Sequence, residues 1–213
     1  MMLVDKTIKD YVNQVASNEP APGGGSVSAL VGSLGAALTS MVGNLTIGKK
    51  AYEKLDEVHR KELDENLVKV QDSIKKLNVF VDKDTEAFNK VMESFKLPKE
   101  TEDEKRARSL AIEEATKGAL ETPLECAKEC LEVLRLQKTF ALYGNPNAIT
   151  DVGVGALLAY SGLEGALFNV KINLAGLKDE KYIKNIEEEM KNILNEGKKL
   201  REELLEIVYG KLG

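Results

Sequence analysis

Small and apolar residues recur along this chain at steps of three and four, the repeat of a helix, and no strand-like alternation of four or more residues interrupts them. A short amphipathic helix is expected from Lys6 to Ala16, followed by a turn at Pro20-Ala21-Pro22-Gly23-Gly24-Gly25-Ser26. From Gly23 to Gly48 the chain carries no charged residue, and Gly25, Ala29, Gly32, Ala36, Thr39, Gly43 and Thr46 alternate steps of four and three. That spacing gives a helix from Ser26 to about Thr46 with one face of small side chains, which another backbone can approach closely. From about Ala51 to Phe95, Val70, Ile74, Leu77, Val81, Phe88, Val91 and Phe95 mark a long amphipathic helix, and Asp84 takes the inward position missing from the series. Leu97-Pro98 ends it. Thr101 and Glu104 form a capping-box pattern for the next helix, expected to reach about Leu136 with a bend near Pro123. After a loop at Gly144-Asn145-Pro146-Asn147, Thr150 or Asp151 caps a second small-residue helix, where Gly155, Ala159, Gly162 and Ala166 lead into Asn169 and Asn173. Asp179 to Tyr209 completes the series as a charged amphipathic helix. The expected fold is all-α: a bundle of long antiparallel helices with two Gly/Ala-rich central helices, in one domain over residues 1–213.

Composition narrows the function. With 43% hydrophobic and 31% charged residues in 213, the chain can bury a substantial core. A net charge of -5 argues against a nucleic-acid partner, and 5% aromatic content without Trp leaves no platform for stacked bases. The uncharged segment is long enough to cross a bilayer. Its Ser26, Ser28, Ser33, Thr39, Ser40, Asn44 and Thr46, with no second segment like it, fit the centre of a soluble bundle better. Asp5, Lys6, Lys9 and Asp10 leave no signal-peptide apolar region, so a cytoplasmic protein with no membrane partner is expected. Cys126 and Cys130 share one side of a helix, where a disulfide would fight the geometry and two thiols make a poor metal site, so they are read as buried thiols. No metal is expected. His59, the single histidine, stands among Glu57, Arg60, Lys61 and Glu62 and is read as a solvated imidazole.

Two motif matches are decoys. Gly43-Asn44-Leu45-Thr46-Ile47-Gly48-Lys49 has P-loop spacing, but Lys50 stands where Ser or Thr must ligate magnesium, and the segment ends a helix instead of starting one. Asn44-Leu45-Thr46 matches a glycosylation acceptor, which means little without secretion. Candidate chemistry is left to three polar places. An inward carboxylate at Asp84 is costly to bury unless it meets a cation, a donor or a ligand, so it is either a site residue or a partner for Lys or Arg on another helix. Asp151 is either a helix cap or a second acid, with Asn145, Asn147 and Thr150 around it. Gly23, Gly24, Gly25 and Ser26 offer backbone N–H groups, and Lys49 and Lys50 offer charge for a ligand carboxylate.

The chain resembles the formimidoyltetrahydrofolate cyclodeaminase and methenyltetrahydrofolate cyclohydrolase family. The resemblance is carried by Pro20-Ala21-Pro22-Gly23-Gly24-Gly25-Ser26, by Asn44-Leu45-Thr46-Ile47-Gly48-Lys49-Lys50 with Tyr52, by Asp84-Thr85-Glu86-Ala87-Phe88, and by Gly144-Asn145, Thr150-Asp151-Val152-Gly153 and Asn169-Val170. It implies an all-helical, dimeric, cytoplasmic enzyme of one-carbon metabolism that takes a tetrahydrofolate derivative as substrate and holds no permanent cofactor. Asp84 and Asp151 are then the catalytic candidates, Asn145 and Thr150 position the folate, and Gly23 to Ser26 with Lys49 or Lys50 bind its polar parts. The activity expected first is cyclodeaminase, with cyclohydrolase as the alternative. The chain lacks room for a fused formimidoyltransferase, so any such partner would be a separate protein. A helical bundle that only binds folate or oligomerises is the non-enzymatic alternative.

Overall fold

The computed structural model describes residues 2–213. Seven α-helices follow in order: α1 (Ile8–Val15), α2 (Gly24–Asn44), α3 (Lys50–Glu53), α4 (Glu57–Phe95), α5 (Glu102–Tyr143), α6 (Ile149–Leu174) and α7 (Glu180–Leu212), with single 3-10 turns at Leu3–Asp5 and Pro146–Ala148. Among the described residues there is no strand. The five long helices alternate in direction along the chain. Pairings such as Gly24 with Asn169 and Gly35 with Ala159 set α2 antiparallel to α6.

Small residues decide which helices are central. A Cβ on Gly35 would stand 2.8 Å from the Gly155 carbonyl oxygen and 2.9 Å from the Ala159 nitrogen, so α2 and α6 touch backbone to backbone. At the next crossing the Cys130 thiol of α5 fills the space between Gly32 and Gly162. Both cysteines are free and buried, and a hydrogen bond with Cys126, together with burial, pushes the Cys130 thiol up. α2 is the one helix among the described residues long and apolar enough to cross a membrane, and its flanks are taken by α4, α5 and α6. The outer helices carry the charge: Arg135 of α5 meets Glu196 of α7 through Nε at 2.7 Å and Nη2 at 2.8 Å, and Lys138 reaches Glu203 at 2.8 Å.

Several boundaries differ from those the sequence suggested. The helix expected from Ala51 to Phe95 is two helices, because the Asp56 carboxylate accepts the His59 amide at 2.9 Å and starts α4 afresh. α5 satisfies the Thr101–Glu104 capping box, then runs through Pro123 and beyond Leu136 to Tyr143. α2 starts at Gly24, two residues before the Ser26 start that the spacing gave, so Ser26 lies inside its first turn. α6 starts at Ile149 with no side-chain cap, so neither Thr150 nor Asp151 has that role. Past Asp84 the apolar stripe of α4 leaves the core: Phe88 and Val91 are half-buried and Phe95 is 48% exposed. There α4 and the start of α5 form a hairpin that overhangs the ends of α2 and α6.

Candidate active site

The start of α2 needs acceptors, because the first N–H groups of a helix have no intrahelical partners. No side chain of the Gly23–Ser26 turn supplies one. Asp84 does so from α4: its Oδ2 accepts the Ser26 amide at 2.9 Å, and its carboxyl lies directly against the Gly25 Cα, in the space any Cβ there would occupy. Gly25 is therefore required by the close approach of a carboxylate, whatever its backbone angles. Gly24 and Gly25 add their own first-turn N–H groups to this end of the helix, where the macrodipole favours negative charge. Burial raises the Asp84 carboxyl above the usual carboxylate range, and the Ser26 hydrogen bond opposes that only in part.

Ser26 is fully buried, and its hydroxyl donates to the Val81 carbonyl at 2.7 Å. The Tyr11 hydroxyl, 2.9 Å away, therefore donates to Ser26 Oγ. With hydroxyl and amide both engaged inside the protein, Ser26 positions the turn and has no group free for a substrate. Two neighbours were not among the nominated residues. Asn169 lies over Gly24 with its amide donating to the Gly165 carbonyl at 2.9 Å, and Tyr11 closes the turn from α1. The Asn169 position was legible as the end of the small-residue spacing on α6. Nothing in the sequence singled out Tyr11 from the other apolar positions of its helix. Beside the turn, α1 and α2 border an apolar cavity of about 420 Å³ lined by Tyr11, Val12, Val27, Leu30 and Val81 among others.

The remaining candidates form a second group at the far end of α2. Asn145 donates its amide N–H to Thr46 Oγ1 at 2.8 Å and its side-chain NH2 to the Leu45 carbonyl at 3.3 Å, which fastens the loop before α6 to the end of α2. Its Oδ1 accepts the Asn147 amide at 3.0 Å. Asp151 is half-buried in the first turn of α6, while Thr150, Lys49 and Lys50 are exposed. His59 is not freely solvated here: its ring packs 4.1 Å from that of Tyr143, centroid to centroid, and its Nδ1 lies 2.9 Å from Asp56. From Asp151 to Asn169 the helical rise gives a separation of about 27 Å, so one chain does not bring Asp84 and Asp151 together. Gly23, Gly24, Gly25, Ser26 and Asp84 share one end, and Lys49, Lys50, Asn145, Thr150 and Asp151 share the other.

Comparison with known proteins gives concordant findings. The family model described as formiminotransferase-cyclodeaminase matches residues 7–192. A methenyltetrahydrofolate cyclohydrolase from Methylorubrum extorquens is 40% identical over 211 residues, covering 99% of this chain and 100% of the relative. A formimidoyltransferase-cyclodeaminase from Gallus gallus is 36% identical over 92% of this chain, which spans 36% of that relative's length. The crystal structure of a formiminotetrahydrofolate cyclodeaminase from Thermotoga maritima has the same fold, with a TM-score of 0.85 and 28% identity over 98% of both chains.

Proposed function

Because the chain belongs to the formiminotransferase-cyclodeaminase family, we propose that it acts on the one-carbon unit bound to N5 of tetrahydrofolate, with Asp84 as its acid–base group. The supporting observation is the Asp84 carboxyl, held protonatable by burial and packed against the glycine turn, where it accepts the Ser26 amide at 2.9 Å. In the cyclodeaminase reading, N10 attacks the formimidoyl carbon of 5-formimidoyltetrahydrofolate in its protonated, formamidinium form. N10 loses its proton, the amino nitrogen gains one and leaves as ammonia, and the 5,10-methenyl cation remains. A carboxyl that exchanges one proton serves both transfers, and as carboxylate it lowers the energy of the amidinium-like charge. The folate is substrate, and the acid–base chemistry comes from the chain's own side chains.

The second reading, methenyltetrahydrofolate cyclohydrolase, is favoured by the relative from Methylorubrum extorquens that matches this chain end to end. Water then adds to the same bridging carbon, the bond to N5 breaks, and 10-formyltetrahydrofolate forms with release of one proton. Both routes cross a tetrahedral carbon between two nitrogens, so one site accommodates either. Purified protein should release ammonia from 5-formimidoyltetrahydrofolate or bleach the absorbance band of the 5,10-methenyl compound, and the ratio of the two rates assigns the activity. An Asp84→Asn chain that folds and keeps full activity in both assays overturns the reading.

A further inference from the structure

The hairpin of α4 and α5 that overhangs the glycine turn carries a second concavity. Between α5 and the loop after α6 lies a pocket of about 170 Å³, lined by Arg108, Ser109, Ile112, Glu113, Gly176 and Lys178. Two contacts fix its place. Asn173 donates its side-chain NH2 to the Ala119 carbonyl at 2.9 Å, and a Cβ on Gly176 would stand 3.2 Å from the Thr116 methyl. Asn169, one turn earlier on α6, lies over Gly24. From Asn169 to Gly176 the helical rise is about 10 Å, and from Asp84 to Phe95 on α4 it is about 17 Å. The charge of this pocket is unbalanced. Arg108 is half-buried: its Nη2 donates to the Phe95 carbonyl at 3.2 Å and its guanidinium stands 5.9 Å from the Phe95 ring, while its Nε is buried without a partner. Neither Arg108 nor Lys178 enters an ion pair among the described residues. Glu113, the one carboxylate in the lining, is already taken by Lys117 at 2.9 Å. Two cations without counter-charge beside a pocket favour a carboxylate ligand, for which a guanidinium offers paired N–H donors.

We propose that this pocket takes the glutamate carboxylates of the folate whose one-carbon unit is held at Asp84, with Arg108 and Lys178 as their charge partners. The inference rests on the reading of Asp84 as the acid–base group. Tetrahydrofolate carries N5 and N10 at one end of a benzoyl–glutamate arm. Its carboxylates lie roughly 10–13 Å from N10, the span of a ring, an amide and an extended glutamate. That reach agrees with the distances set by α4 and α6. A path for the arm is also present: Asp84, Phe88, Val91 and Phe95 recur at steps of four, three and four, so they share one face of α4. Phe88 and Val91 are half-buried, Phe95 is exposed, and the Phe95 ring ends the row beside the Arg108 guanidinium. An apolar row that starts at a carboxyl and ends at an unpaired cation suits a ligand with a ring in its middle and an anion at its tail. Lys49 and Lys50, the cations nominated from the sequence, lie past the other end of α2, about 30 Å from the glycine turn. A tail that leaves Asp84 along α4 meets Arg108 instead.

Paired substrates test it. The 5,10-methenyl or 5-formimidoyl derivative of tetrahydrofolate is compared with the same derivative of tetrahydropteroate N-methylamide, which keeps the pterin and the ring but has no carboxylate. In the wild type, loss of the glutamate should raise KM about 10- to 100-fold with kcat little changed, because the charge is remote from the reacting carbon. Arg108→Gln should raise KM for the folate by a similar factor and leave KM for the amide unchanged. Lys178→Gln, in an exposed loop where folding is not at risk, should do the same by about 3- to 10-fold. A fastening role for Arg108 in the hairpin alone would raise KM for both compounds equally. That outcome, or a wild type that does not distinguish them, or a Lys178→Gln chain with an unaltered KM ratio, overturns the subsite and leaves the role of Asp84 intact. An Asp84→Asn chain that keeps full turnover overturns the reading on which the subsite rests, whatever the KM ratio.

Discussion

The two ends of the α2–α6 pair meet the same physical demand by different means. Each contains a helix start that favours negative charge. At the start of α6 the helix carries its own carboxylate, Asp151, in its first turn, half-open to solvent. At the start of α2 no residue of the glycine turn can serve, and the carboxylate arrives from α4, threaded against Gly25 and largely withdrawn from water. An acid imported from another helix must cross the packed interior to reach its target, and that passage is what raises its proton affinity. A locally supplied acid stays half-open to solvent.

Substitutions can break or sharpen that contrast. The largest effect is expected at Asp84, where Asn keeps an acceptor for the Ser26 amide but cannot exchange a proton. Turnover should fall by about 10²- to 10⁴-fold, the usual contribution of a positioned acid–base group. The same variant should be more stable than wild type at neutral pH. Because the folded-state carboxyl is raised above its ordinary value of 3.8, folding favours the protonated form, and stability is lost as pH rises from 3.8 through the raised value. Asn removes that loss, so urea midpoints should differ at pH 7 and converge as the pH approaches 3.8. A midpoint difference that does not shrink on acidification would mean that burial is not the cause.

Next in size is Gly35→Ala. Its Cβ meets backbone atoms of α6 at 2.8 and 2.9 Å, which cannot rotate away, so the central pair must separate at a cost of about 1–3 kcal/mol. Denaturant unfolding should show this, with a smaller effect on turnover than at Asp84, because both ends are about 15 Å away. Smallest is Gly118→Ala, an exposed site within α5 with nothing within 4 Å of a new Cβ. Helix propensity predicts a gain of about 0.5–1 kcal/mol there. Opposite signs for two glycine-to-alanine changes in one protein would localise close packing to the central pair.

Much of this architecture was legible in the sequence because small residues at steps of four and three can mean little other than closely approaching helices. The uncharged run from Gly23 to Gly48 marked α2, and the break in the apolar series at Asp84 marked an inward carboxylate. Helix limits were harder to read. Asp56 restarts a helix that periodicity alone would continue, and Pro123 lies within one that proline rules would bend or stop. Long-range placement was harder still: that Asp84 reaches Gly25 while Asp151 lies a helix length away follows from the antiparallel pairing of α2 and α6. Sequence order gives no direct measure of it. His59 shows the same limit, since the charged residues around it gave no hint that Tyr143, 84 positions later in the chain, would cover one side of its ring.

The wedge made by the Cys130 sulfur between Gly32 and Gly162 has a practical consequence. No reagent can reach that thiol while three helices press on it, so alkylation must wait for the crossing to part. Timed against quench and mass spectrometry, Cys130 becomes a native stopwatch for how often the centre of the molecule opens, with no label added.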